Sequence, residues 1–202
     1  MRTTFLTLCA LLLASATLAQ TKLEVKDLQN HPFDVPFASE SLLRMHLQAG
    51  EFRIVGNDEN RIVVRFTGKN SGEAKNLTVR LTENANGGDL RVFHGPKNEL
   101  RVTIEIPRYT DLFLRMSGGD LHVQHVTGNK DVGLVGGDLT IDAGNPSDYA
   151  VVNASVRFGD VYADGFGEAK GWVGESLKTR GAGKYTLHAH VFAGDLTLNS
   201  SP

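Results

Sequence analysis

The sequence predicts an all-β, single-domain protein built as a β-solenoid, and three observations carry that expectation. Apolar and polar residues alternate at period two through most of the chain, and no extended window carries an apolar stripe at helical spacing. A short pattern of glycine, acid, apolar, any residue, apolar also keeps returning, as repeat architectures do. An antiparallel β-sandwich is the alternative, because alternation alone does not assign strand pairing.

Residues 1–19 read as a cleaved secretory signal peptide. Arg2 is followed by an apolar run from Phe5 to Leu13 and then by small residues, with cleavage expected between Ala19 and Gln20. The run falls well short of the roughly 20 apolar residues a span requires, so no membrane span is expected in the exported chain. The one cysteine, Cys9, lies inside this leader. Thr7 and Leu8 before it are not the small residues of a lipoprotein signal, so the mature chain must fold with neither lipid nor disulfide. The 202-residue chain has a net charge of −2 and no basic run, which argues against nucleic acid or an anionic membrane as partner.

Residues 20–41 form a polar leader with Pro32 and Pro36, containing one short edge strand at Leu23–Val25. The domain proper spans 42–202. In "LLRMHL" the apolar set is Leu43, Met45 and Leu47; in "NLTVRLT" it is Leu77, Val79 and Leu81; in "ELRVTIEIP" it is Leu100, Val102, Ile104 and Ile106. Side chains alternate across a strand, so each segment has one buried and one wet face.

The repeat appears as "GEFRI" at Gly50, "GDLRV" at Gly88, "GDLHV" at Gly119, "GDLTI" at Gly137, "GDVYA" at Gly159 and "GDLTL" at Gly194. Successive starts lie 38, 31, 18, 22 and 35 residues apart, and the two shortest intervals suit single solenoid coils. With "LQAGEFRIVG", "VTIEIPRYTDLFLRMSGGDLHV", "VGLVGGDLTI" and "VFAGDLTL", the chain resembles a bacterial exported putative-adhesin family of unknown function. The resemblance implies a β-solenoid with a surface role, and it brings no catalytic residues to carry over.

Each coil must turn sharply before its next strand. Glycine reaches positive φ without steric cost, and aspartate accepts hydrogen bonds from nearby backbone N–H groups that the turn leaves unpaired. The pairs Gly88–Asp89, Gly119–Asp120, Gly137–Asp138, Gly159–Asp160 and Gly194–Asp195 are therefore expected as structural corners. The irregular spacing favours acids screened by solvent or spread over different corners. Calcium-binding solenoids place their glycines and aspartates at nine-residue intervals, a spacing absent here, and no cofactor is expected.

His188 and His190 share a strand face and are the weak metal candidates. Leu187, Ala189 and Val191 take the inward positions, which leaves both imidazoles solvated, with Asp195 as the one acid in reach along the chain. His122 and His125, three apart, face opposite sides of a straight strand. Trp172 reads as a partial plug for the core, with a carbohydrate platform as the other reading. No nucleophile elbow of the GxSxG kind occurs, and no enzyme is expected.

The functional expectation is an exported interaction module, periplasmic, surface-bound or secreted, with a surface, protein or glycan partner. A carbohydrate-active β-helix enzyme and a structural, self-assembling solenoid are the alternatives. Few residues follow Asn199 to cover a last coil, which gives self-association through the C-terminal coil its motive.

Overall fold

The computed structural model describes residues 21–28, 30–68, 73–96 and 99–201. The leader and its Ala19–Gln20 cleavage site lie outside the described residues. Seventeen strands are found among those that are described. The first six are β1 (Thr21–Lys26), β2 (Phe33–Pro36), β3 (Leu42–Leu47), β4 (Glu51–Asn57), β5 (Arg61–Phe66) and β6 (Thr78–Asn84). Then come β7 (Gly87–Phe93), β8 (Arg101–Pro107), β9 (Asp111–Met116), β10 (Leu121–Gln124), β11 (Lys130–Gly136) and β12 (Leu139–Gly144). The last are β13 (Tyr149–Phe158), β14 (Val161–Ala163), β15 (Ser176–Arg180), β16 (Tyr185–Ala193) and β17 (Leu196–Ser200).

The protein is all-β, and the solenoid expectation is overturned. The strands form two mixed sheets, one of nine in the order β1-β6-β7-β3-β9-β11-β16-β13-β15 and one of eight in the order β14-β17-β12-β10-β4-β8-β5-β2. Successive coils of a solenoid stack in chain order, whereas here β16 inserts between β11 and β13, and β17 between β12 and β14. The outer strands also pair antiparallel, as in the β6–β7 hairpin and at β1–β6, β5–β8 and β13–β15. A sandwich describes the result better. It is not an antiparallel one, because the central strands β3, β9, β11, β16 and β13 pair parallel.

The period-two pattern explains the core between the sheets. Leu43, Met45, Leu114 and Leu187 point inward from the nine-stranded sheet, and Phe52, Ile54, Leu139 and Leu196 from the eight-stranded one, all at 1% exposure or less. Phe33 and Phe37, within the polar segment 20–41 that precedes the expected domain, also belong to this core. Burying each such side chain contributes about 1.5–3 kcal/mol. With no disulfide available, this apolar contact is the main source of stability.

Five of the six repeats build one feature. At Gly50, Gly119, Gly137, Gly159 and Gly194 the chain leaves the nine-stranded sheet and starts β4, β10, β12, β14 or β17 in the other. These arches lie side by side in the order of the eight-stranded sheet. Gly137 has φ +109°, and a Cβ there would stand 2.2 Å from the carbonyl oxygen of Gly119 in the next arch. Glycine is thus required twice, for conformation and for the close approach of neighbouring arches.

The aspartates stack in the same ladder, rather than being spread over separate corners. Asp138 Oδ1 accepts the backbone N–H of Asp195 at 3.1 Å, and Asp195 Oδ1 accepts that of Asp160 at 3.1 Å. The donors come from neighbouring arches 57 and 35 residues away, not from residues just ahead in the turn. The sixth copy departs from the pattern. Gly88–Asp89 lies inside β7 after a tight hairpin in the nine-stranded sheet, and Asp89 pairs there with Arg91 at 2.7 Å.

Two further expectations are corrected. Trp172 is fully exposed and plugs nothing. β17, the last strand, has a neighbour on each side and so offers no free edge for self-association.

Candidate functional site

The outer face of the nine-stranded sheet carries the candidate site. The alternation that buries Leu114, Val132 and Val191 turns Arg115, Asp131, Gly133 and Phe192 toward solvent. Strand register then aligns outward residues from chain-distant segments in one row. His46 stands opposite Arg115, Arg115 opposite Gly133, and Gly133 opposite His190. A depression of about 660 Å³ opens along this row, bounded by His46, Arg115, His190, Val135 and Phe192.

Arg115 is held firmly. Its Nη1 donates to the carbonyls of Leu114 at 2.9 Å and Asp131 at 3.0 Å, and its Nη2 lies 2.9 Å from Asp131 Oδ1. The guanidinium carbon sits 3.9 Å from the Phe113 ring centroid, a close cation–π contact. Gly133 leaves the next place in the row without a side chain. A Cβ there would come within 3.0 Å of Arg115 Cδ. On the far side of the gap, His190 Nδ1 shares a hydrogen bond of 3.0 Å with Ser155 Oγ. Asp89 approaches His46 at 3.7 Å.

One flank is apolar. Val135, Phe158 and Phe192 are 58%, 50% and 45% exposed, although each is large and hydrophobic. The two phenyl rings meet edge to face at 5.6 Å, with Arg157 within 6 Å of both. The Trp172–Val173 loop is held beside this end of β13 by the Val156 N–H to Glu175 carbonyl bond of 2.8 Å. Exposed apolar clusters of this kind mark interaction surfaces.

His188 and His190 both point outward from β16. His188 stands between Asp131 and Asn153, and Asp195 belongs to the other sheet's arch ladder. No group of three or more metal-ligating side chains forms among the described residues. His122 reaches Asp142 at 3.5 Å on the opposite sheet, while His125 lies beyond that strand at φ 55°. The sequence singles out His190 but gives no prominence to Arg115, Gly133 and Phe192. The usable signal is a glycine and a phenylalanine at outward positions of "DVGLV" and "HVFAG".

A second polar region lies at the end of the sandwich away from the arches. Gln124 and Asn199 donate to the Asp142 carboxylate at 3.1 and 2.9 Å. Burial opposes its ionisation, yet these bonds and nearby His122 hold its carboxyl below the usual range. Below that cluster, Lys130 is buried, donating to Tyr149 Oη at 2.9 Å and the Gly128 carbonyl at 3.2 Å.

Fold and site together define a two-sheet, all-β protein with a polar row and an apolar flank on the outer face of its larger sheet. No protein-family model matches the chain, and no curated protein matches it. Among solved structures it is similar to a "putative cell adhesion protein" from Clostridium sporogenes, with a TM-score of 0.51 at 15% identity, covering 91% of this chain and 100% of that one. At that identity the likeness bears on the fold alone.

Proposed function

We propose that the protein is an exported, non-enzymatic interaction module of the adhesion type, docking through the outer face of its nine-stranded sheet. The observation that carries this reading is the exposed Val135–Phe158–Phe192 cluster beside the Gly133 depression. The description of the structural neighbour as a cell adhesion protein supports the same role. The signal-like leader supports export, and no helix among the described residues is long and apolar enough to cross a membrane.

The test uses the chain without residues 1–19. Replacing Phe158 and Phe192 together by Asp is expected to abolish attachment to cells or surface glycans. The thermal midpoint should hold within a few degrees, since both side chains are already about half exposed. Undiminished attachment would exclude this face. Turnover of a polysaccharide by the unaltered chain would replace the reading with an enzymatic one.

A further inference from the structure

We infer that the ligand of this face is an acidic polysaccharide, read by a row of basic side chains set at the strand spacing, with the depression at Gly133 receiving a carboxylate. The inference rests on the docking reading above.

The row extends well beyond the depression. Arg80 stands opposite Arg91, Arg91 opposite His46, His46 opposite Arg115, and the Gly133 gap separates Arg115 from His190. Five of six neighbouring strands thus present basic groups, the sixth contributing Gly133, at intervals of about 4.8 Å. A polyuronate carries one carboxylate per sugar ring, a repeat comparable to that interval. Its rings also offer flat C–H faces, which suit the exposed Phe192 and Val135 flank.

Charge is distributed to match. Glu24, Asp89 and Asp131 orient Arg80, Arg91 and Arg115. Arg44, Arg157 and Lys178, on the same face, have no carboxylate partner among the described residues. The opposite sheet carries the Asp120, Asp138, Asp195 and Asp160 ladder instead. Arg53 on the opposite sheet also lacks an ion pair among the described residues, but it shares a depression with Asp120 and Asp138 of the ladder. The excess of unpaired basic groups therefore falls on the face that also holds the apolar cluster, and such a field steers an anionic ligand there.

The gap supplies the specific contact. Arg115 commits Nη1 to two carbonyls and one Nη2 hydrogen to Asp131, which leaves Nε–H and a second Nη2–H available. His190 spends Nδ1 on Ser155 and keeps Nε2. The Arg115 stem lies across Gly133, so a carboxylate entering the depression beside it meets the guanidinium edge on one side and the His190 imidazole on the other.

The probe is polygalacturonate, compared with its fully methyl-esterified form, which has the same backbone without the charge. The chain is expected to bind the acid polymer at least about tenfold more tightly than the ester, with the preference fading in high salt. Gly133→Val places a side chain against the Arg115 stem, which must shift from its anchored position and so narrows the depression. Gly133→Val, Arg115→Gln and the exposed Arg44→Gln should each weaken binding several-fold to about tenfold, with the thermal midpoint retained by at least the Arg44 variant. Equal affinity for acid and ester would overturn the inference. So would binding to polyglutamate in preference to polygalacturonate, which would make the partner an acidic protein. Cell attachment that is lost in the Phe158/Phe192 variant, without any polygalacturonate binding, would overturn the acidic-saccharide assignment and leave the docking face standing. Attachment that survives that variant would remove the docking face itself.

Discussion

Lys130 shows how strongly one residue can set the pH response of this fold. Its ammonium is buried at 2% exposure. Desolvation dominates over the attraction of Asp111 and Asp148 and lowers its pKa from 10.5 to about 8. Below pH 8 the native and unfolded chains both carry the charge, and the native state bears the cost of burying it. Between about 8 and 10.5 the native lysine has lost its proton while the unfolded one retains it, so stability must rise across that window. The gain is about 3 kcal/mol relative to Lys130→Met, whose neutral side chain does not titrate. Tyr149, whose pKa burial raises well above 10, loses stabilisation only as pH rises above the ordinary tyrosine value, and it does so in both proteins. Urea denaturation of the two chains from pH 7 to 10 checks this. A difference that stays flat with pH would show that Lys130 is solvated in the native state.

At the scale of elements, the arch ladder separates what is legible in the sequence from what is not. Strand faces are readable because a period of two reports burial directly. Leu43, Met45, Val79 and Ile104 need no known partner to be identified as inward, and all four are fully buried. The recurrence of Gly-Asp is readable too. The order of the arches is not, because it depends on which distant segments pair: Phe52 pairs with Leu121, while Leu139 pairs with Leu196. The candidate site is hidden for the same reason. Arg115, Gly133 and His190 form a row only once register brings β9, β11 and β16 together. Two substitutions test the ladder. Leu139→Ala should cost about 2–5 kcal/mol, because it empties a fully buried position. Asp138→Ala should cost about 1 kcal/mol, the net worth of its bond to the Asp195 N–H. A urea series giving the reverse order would show that the carboxylate ladder, not the core, governs the arches.

For the whole molecule, the interleaved strand order makes the C-terminal strand central to stability. In a linear stack of coils each unit touches only its neighbours, and loss of the last one is tolerated. Here β17 lies between β12 and β14, and its Leu196 and Leu198 are 0% and 1% exposed. A chain ending at Asp195 would lose two core leucines, strand β14 would lose its sheet neighbour, and the inner edge of β12 would be left with unpaired backbone groups. At the other end, β1 pairs among the described residues only with β6, and five of its six residues are exposed. Removing Thr21–Lys26 should therefore lower stability modestly and keep a single cooperative transition. Truncation after Asp195 should abolish that transition, giving a chain without a sharp melting curve by circular dichroism. If the C-terminal truncation melts as cooperatively as the one lacking β1, then β17 is peripheral, and the two-sheet order with β17 at its interior is wrong.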